Sequence, residues 1–222
     1  GSPKVQRALI SMVMRPGASG MTAPLMGLDR DGVSDDVRAM ALRALGRIAD
    51  PEAAAYLLKK AGEPGVFGER ALAAVALMDS ADPKVGDLLA GALNDAHRSS
   101  RPEQTKASLL QALGTARHAP SLPIIARSLN DRDAGVQTAA VRAMGRMGSR
   151  AAEYVPELVR LFDAGDPKRQ HGIAVSLANI GGTEAVTEMR RLLKAKDLDA
   201  SVRRTLQVGL RNAENKLPKG TK

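Results

Sequence analysis

The sequence predicts an all-α fold, a right-handed α-solenoid of about six helical pairs preceded by an N-terminal half repeat. Three observations predict it. First, the stretch Val136-Gln137-Thr138-Ala139-Ala140-Val141-Arg142-Ala143-Met144-Gly145 has a close copy in Val37-Arg38-Ala39-Met40-Ala41-Leu42-Arg43-Ala44-Leu45-Gly46. Second, the long polar residue near the start of that stretch recurs as Gln6, Arg38, Arg70, Lys106, Gln137, His171 and Arg203, at steps of 32, 32, 36, 31, 34 and 32 residues. A near-constant step of this size marks stacked supersecondary units that share one growing core. Third, 222 residues hold two Phe, two Tyr and no Trp, so the core must be built from Ala, Leu, Val, Ile and Met, which let helices approach closely.

Each unit reads as a short helix, a polar turn and a longer helix. At the front, a helix over Lys4–Met14 is the second half of an incomplete unit. A weak helix over Met21–Asp29 precedes one over Ser34–Ile48. Pro51–Ala61 leads through Gly62-Glu63-Pro64-Gly65 to a helix over Gly68–Asp79. Pro83–Asn94, then the turn Asp95–Arg101, precedes Pro102–Thr115. Pro120–Leu129 opens with proline, tolerated in the first turn because its missing N–H would be unpaired there anyway. Asn130-Asp131-Arg132-Asp133 supplies carboxylates to accept the first N–H groups of Ala134–Met147. In that helix Val136, Ala140, Val141, Met144 and Met147 fall at spacings of three and four, one helical face, and Gly148 fits a stop. Ala151–Phe162 with Pro167–Ile180, and Thr183–Lys194 with Ala200–Asn215, complete the series.

The pattern Pro-x-Leu-x-x-Leu, an Asp-containing turn, then Val-Arg-x-x-Ala-x-x-Ala-Leu-Gly resembles HEAT repeats, in particular the bacterial HEAT-like type. Asp35-Asp36-Val37-Arg38 and Asp199-Ala200-Ser201-Val202-Arg203 carry the turn-and-Arg signature. Met78 and Asn179 depart from it at the Gly position, Lys106 and His171 at the Arg position. The resemblance spans residues 4–215, read as a single repeat domain, with residues 1–3 as a cloning remnant and 216–222 as a polar tail. It implies an interaction scaffold whose second helices line a concave surface. It also implies that the marker arginines pair with turn aspartates, for which Asp35, Asp36 and Asp199 are placed.

Charge and composition bound the function. Lys and Arg number 33 against 24 Asp and Glu, a net charge of +9, which favours anionic partners. The absence of Cys excludes disulfides and thiolate chemistry. No apolar run approaches a membrane span. The compartment stays open between the cytoplasm and the cell envelope after removal of a signal.

No catalytic constellation is legible. His97, His118 and His171 lie in different units, the first two in loops, with no second ligand type at metal spacing. The His–Glu pairs of HEAT-like hydroxylases are missing, as are the tryptophans on which HEAT-like DNA glycosylases depend. The expectation is therefore a protein without metal or cofactor, not an enzyme, and with no small-molecule substrate.

Positions five and nine residues after the marker turn outward from the second-helix layer. They read Arg43, Val75, Gln111, Arg142, Ser176 and Val208, then Arg47, Asp79, Thr115, Arg146, Ile180 and Asn212. A phosphate-tracking groove needs cations in unit after unit and aromatic groups for stacking. Only Arg43/Arg47 and Arg142/Arg146 supply cations, so this face reads as a protein-binding surface. The expected partner-binding residues are Arg43, Arg47, Gln111, Arg142 and Arg146. The alternative is an electrostatic binder of nucleic acid or anionic membrane through the late cluster Arg190, Arg191, Lys194, Lys196, Arg203, Arg204 and Arg211. The same cations could equally offset helix dipoles.

Overall fold

The computed structural model describes residues 20–99 and 102–217, all of them in helices, turns or loops without a strand. The expected helix Lys4–Met14, and with it the N-terminal half repeat, lies outside these residues. So do residues 1–3, Ser100 and Arg101 of the third turn, and the tail beyond Leu217. The chain divides into two compact units, Gly1–Ala116 and Arg117–Lys222.

In the first unit the helices are α1 (Thr22–Met26), α2 (Asp35–Ile48), α3 (Pro51–Lys60), α4 (Val66–Val75), α5 (Pro83–Arg98) and α6 (Glu103–Ala116). Odd and even members pair, and the even members α2, α4 and α6 pack in succession. The Asp-Pro dipeptides explain two of the helix starts. Asp50 accepts from the Ala53 N–H at 2.7 Å and Asp82 from the Lys84 N–H at 2.9 Å, while Pro51 and Pro83 occupy the first turn.

Two helix ends in this unit differ from the sequence reading by a full turn. The helix α5 runs one turn past Asn94, because Ala96 extends its buried stripe and no Gly or Pro interrupts it. His97 is therefore helical and half-buried, not in a loop. The helix α4 stops at Val75, not Asp79. There the chain tightens, with the Leu77 and Met78 N–H groups donating to Ala74 and Val75, and this brings Met78 fully into the core.

A buried carboxylate in the turn after α1 ties α2 and α3 together. Asp29 accepts from Arg38 Nε at 3.1 Å and from the Tyr56 hydroxyl at 2.8 Å, and Lys60 Nζ lies 3.4 Å away. Burial, reinforced by that hydrogen bond, raises the Tyr56 phenol well above its ordinary value. The Arg38 guanidinium also stacks 3.7 Å over the Phe67 ring, with Arg70 at 5.3 Å.

These contacts correct the expected Arg–Asp pairing. Arg38 does pair with turn carboxylates, but they are Asp29 at 3.1 Å and Asp31 at 3.6 Å, ahead of its own helix. Arg70 reaches the Asp35 backbone carbonyl at 3.1 Å, leaving the carboxylate aside. Asp199, in the second unit, caps its own helix instead of pairing with Arg203. A carboxylate at a helix start is drawn first to the unpaired N–H groups of that helix.

The second unit repeats the scheme with α7 (Leu122–Ser128), α8 (Ala134–Met147), α9 (Val155–Asp163), α10 (Pro167–Ile180), α11 (Gly182–Leu192) and α12 (Ala200–Glu214). Short 3₁₀ turns, Ala119–Ser121 and Gly148–Tyr154, lead into α7 and α9. Pro123 and Pro156 then sit in the opening turns of those helices. All five apolar residues expected on the inner face of α8 are buried.

The even helices α8, α10 and α12 again pack in succession. Gly145 shows why the repeat carries glycine inside its second helix: a Cβ there would lie 2.8 Å from Ser176 Oγ and 3.0 Å from its Cα. At the matching site in α2, a Cβ on Gly46 would lie 2.4 Å from the Ala74 carbonyl oxygen. The glycine serves close approach of neighbouring second helices, while Gly148 and Gly181, with φ 61° and 64°, serve as the stops of α8 and α10.

Candidate anion-binding face

Charge is distributed unevenly over the two helix layers of the second unit. The even helices hold Arg142, Arg146, Lys168, Arg169, Arg203, Arg204 and Arg211, against Glu214 as their sole acid. Glu214 is engaged, accepting from Arg190 Nη2 at 2.6 Å and Nε at 3.0 Å. The odd helices carry the other acids, Glu157, Asp163, Glu184 and Glu188.

Helical spacing turns this asymmetry into a surface. On α8 one exposed stripe runs through Thr138, Arg142 and Arg146, four residues apart. On α10 the same spacing picks out the exposed His171, Val175 and Asn179, and on α12 the exposed Arg204, Val208 and Asn212. All nine are exposed, and their helices pack side by side. The grid is cationic and polar, with two apolar points, Val175 at 41% and Val208 at 54% exposure. Thr205 Oγ1 lies 3.1 Å from His171 Nδ1, which links α10 and α12 across it.

At the C-terminal edge of this grid lies a half-open cleft of roughly 550 Å³. Its polar lining consists of Arg117, Arg146, Ser149, Arg150, Asn179 and Lys216, and it includes no acidic residue. Arg146 comes from the last turn of α8, Arg150 from the 3₁₀ turn after it and Lys216 from the end of α12. Arg150 Nη1 donates to the Arg117 carbonyl at 3.4 Å. Arg117 itself adopts a left-handed conformation, φ 51°.

The sequence-predicted positions fall into three groups. Arg43, Arg47, Gln111, Arg142 and Arg146 are all exposed, Arg43 and Arg47 on α2 and Gln111 on α6. Gln111 is structurally engaged, donating to the Ala76 carbonyl at 3.0 Å beyond the end of α4. Val75, Ser176 and Ile180, expected to face outward, are buried. Ser176 Oγ donates to the Val141 carbonyl at 2.8 Å, across to α8. The helices pack more tightly than a uniform repeat register implies, which turns these positions toward a neighbour.

The late cationic cluster is not one patch. Arg190 is paired with Glu214, and Arg191 with Glu188 at 2.6 Å and Asp163 at 3.1 Å. Those partners hold the Arg191 guanidinium in its charged form, Glu188 contributing most. Arg203 donates to the carbonyls of Leu193 at 2.9 Å and Ala195 at 2.7 Å, closing the C-terminal end of α11. Lys194, Lys196, Arg204 and Arg211 are exposed and have no ion pair with another described residue.

Reading along helices missed Arg117 and Arg150. A signal was present: both lie within three residues of the end of a second helix, 33 residues apart, so the repeat brings them to neighbouring positions in successive turns. Turns are where binding residues concentrate. His118, expected in a loop, is buried at the start of the Ala119–Ser121 turn, its Nδ1 2.5 Å from Ser121 Oγ. Among the described residues no group of three or more His, Asp or Glu could hold a metal ion. No described helix is long and apolar enough to cross a membrane.

The family model for HEAT repeats matches residues 22–101 and 96–178. Solved structures with a similar course include an engineered protein, 20% identical, with a TM-score of 0.53 over 87% of this chain and 96% of that one. A designed armadillo repeat protein, 18% identical, aligns with a TM-score of 0.51 over 87% and 99%. The complex of CpcE and CpcF of phycocyanin lyase from Nostoc sp. PCC7120, 18% identical, reaches 0.45 over 96% and 95%, too low to carry an argument. These likenesses establish the helical-repeat fold alone. No curated protein matches the sequence.

Proposed function

This chain belongs to the HEAT-repeat family, and from that premise we propose that it is a non-catalytic scaffold that binds a protein partner. The partner-binding surface is the exposed grid on α8, α10 and α12, with Arg142 and Arg146 on its α8 row. Arg43 and Arg47 offer a second cation pair of the same spacing on α2 of the first unit.

The observation that carries this reading is the near absence of acids from one helix layer of the second unit. Like charges gathered on one face repel each other, and a partner of opposite sign relieves that repulsion and is steered toward it. The two exposed valines favour a folded or extended protein surface, since apolar contact area adds affinity that charge alone does not. The cleft lining is cationic and includes no carboxylate or histidine to move a proton, which fits binding better than catalysis.

Cross-linked capture from an extract of the source cells tests the reading. The intact protein is compared with an Arg142→Glu/Val208→Asp variant, which alters the grid and leaves the cleft untouched. Retention of a discrete protein by the first and its loss from the second is the expected result. Retained material that disappears on nuclease treatment, or that is lipid, overturns the scaffold in favour of an electrostatic binder of nucleic acid or membrane.

A further inference from the structure

The cleft beside the grid brings four cations, Arg117, Arg146, Arg150 and Lys216, to one concave place without an acid in its lining. Offsetting the dipole of α8 accounts for Arg146, which lies in the last turn of that helix. Arg117 and Lys216 likewise lie just past the ends of α6 and α12, but dipole compensation does not require them to converge with Arg150 on one place.

Arg117 is the most informative of them. Its backbone is left-handed at φ 51°, a conformation costly for side chains with a Cβ. Gly148 and Gly181, just past their own second helices, hold φ 61° and 64° with no such cost. Ala49 shows that the first unit admits a short side chain in this conformation, at φ 49°. Among the described residues only Arg117 brings a charge to it, and Arg117 lines the cleft.

At roughly 550 Å³ the cleft has room for an anionic side chain together with part of the segment that carries it. Three guanidinium groups offer paired N–H donors that match the oxygens of a carboxylate or phosphate. Val175 lies one turn before Asn179 on the same face of α10, and Val208 lies two turns before Lys216, so apolar footholds adjoin the cationic end. Nucleic acid is the poorer fit. The described aromatic residues of this unit are Tyr154, half-buried, and Phe162, buried, so no stacking platform exists.

We infer that this cleft binds an acidic or phosphorylated side chain on an extended segment of the protein partner, an inference that rests on the scaffold reading above. The occupant is a peptide in which the anion enters among Arg117, Arg146, Arg150 and Lys216 while apolar residues run over Val175 and Val208.

The test is an anisotropy titration of the full chain with three short fluorescein-labelled peptides: Glu-rich with interspersed Leu, the same peptide with Gln for Glu, and one with phosphoserine. A single-stranded oligonucleotide of equal charge is the fourth probe. Arg117→Gly removes a cation while relieving its backbone, so it folds at least as well, which a thermal melt checks. Arg150→Gln is the second variant and Arg132→Gln, exposed and away from the cleft, the control. The expected result is binding of an anionic peptide, about tenfold weakened by each cleft variant, unchanged in the control and lost at high salt. Whether Glu or phosphoserine binds more tightly identifies the anion.

Absence of anionic-peptide binding, or binding indifferent to Arg117→Gly and Arg150→Gln, overturns the inference. So does tighter binding of the oligonucleotide with the same variant sensitivity. If peptide binding fails while the capture experiment still yields a protein sensitive to Arg142→Glu/Val208→Asp, the cleft inference falls and the scaffold stands. If both fail, the scaffold reading falls as well.

Discussion

The two units are built from the same helical sentence and use charge in opposite ways. The even helices of the first unit carry Asp35, Asp36, Glu69 and Glu103 against Arg38, Arg43, Arg47, Arg70 and Lys106. Those charges nearly balance, and two of the cations turn inward, to the Asp29 hub and the Phe67 ring. In the second unit the even helices are almost free of acids, and Arg142, Arg146, Arg204 and Arg211 face water. Like-charged residues contribute little to stability when exposed, whereas a buried carboxylate with three partners is sensitive to the loss of any one. The first unit uses ionic groups for cohesion; the second displays them.

The sharpest test of this contrast is Asp29→Ala. It leaves Arg38 and Lys60 without their shared partner and should destabilise the first unit by about 3–5 kcal/mol, measured by urea unfolding. An effect under about 1 kcal/mol would mean that the hub is hydrated and the contrast with surface pairs is lost.

Gly145→Ala comes next. Its new methyl meets Ser176 at the α8–α10 contact, and the expected loss is about 1–3 kcal/mol by the same measurement. Gly46→Ala meets backbone instead, the Ala74 carbonyl, which cannot rotate away, so its cost should be the larger of the two. Asp133→Ala removes the acceptor for the Val136 N–H, 2.8 Å away, and should cost about 1 kcal/mol. By contrast, Arg142→Glu/Val208→Asp should leave stability within about 0.5 kcal/mol while abolishing partner capture. A large drop in melting temperature for that pair would place the grid among the structural residues.

The smallest effect is titratable. Hydrogen bonds from Ser201 and from the Ser201 and Val202 N–H groups hold the Asp199 carboxyl below its ordinary value. A depressed folded value favours the native state above the unfolded carboxyl pKa, and that contribution is lost as pH falls through the folded value. Melting temperature should therefore fall as pH drops below about 4, and Asp199→Asn, which caps without titrating, should lack this component. Equal acid sensitivity in both proteins would show that other carboxylates dominate.

What could be read without the structure follows from period. The inner face of α8 and the bounds of Ala134–Met147 and Pro167–Ile180 agree with the pattern, because apolar spacing and Asp-Pro starts are local properties. The ends of α4 and α5 were not readable. Met78 is drawn into the core by a tightened turn, and nothing adjacent in sequence announces that pull. Val75, Ser176 and Ile180 were misjudged for a related reason: their burial depends on how closely a neighbouring helix approaches, and that distance is set by glycines a repeat away.

The sequence by itself determined the repeat, the helix starts and the scarcity of acids in the later second helices, all of which depend on residue identity and spacing. The tertiary structure decided which cations remain available. Arg190, Arg191 and Arg203 look the same in sequence as Arg204 and Arg211, yet the first three meet carboxylates or carbonyls supplied by other segments. Only packing could also bring Arg117, Arg150 and Lys216 from separate turns to Arg146. A charge acts over a few ångströms, and distances of that kind between remote residues exist only once the helices have stacked.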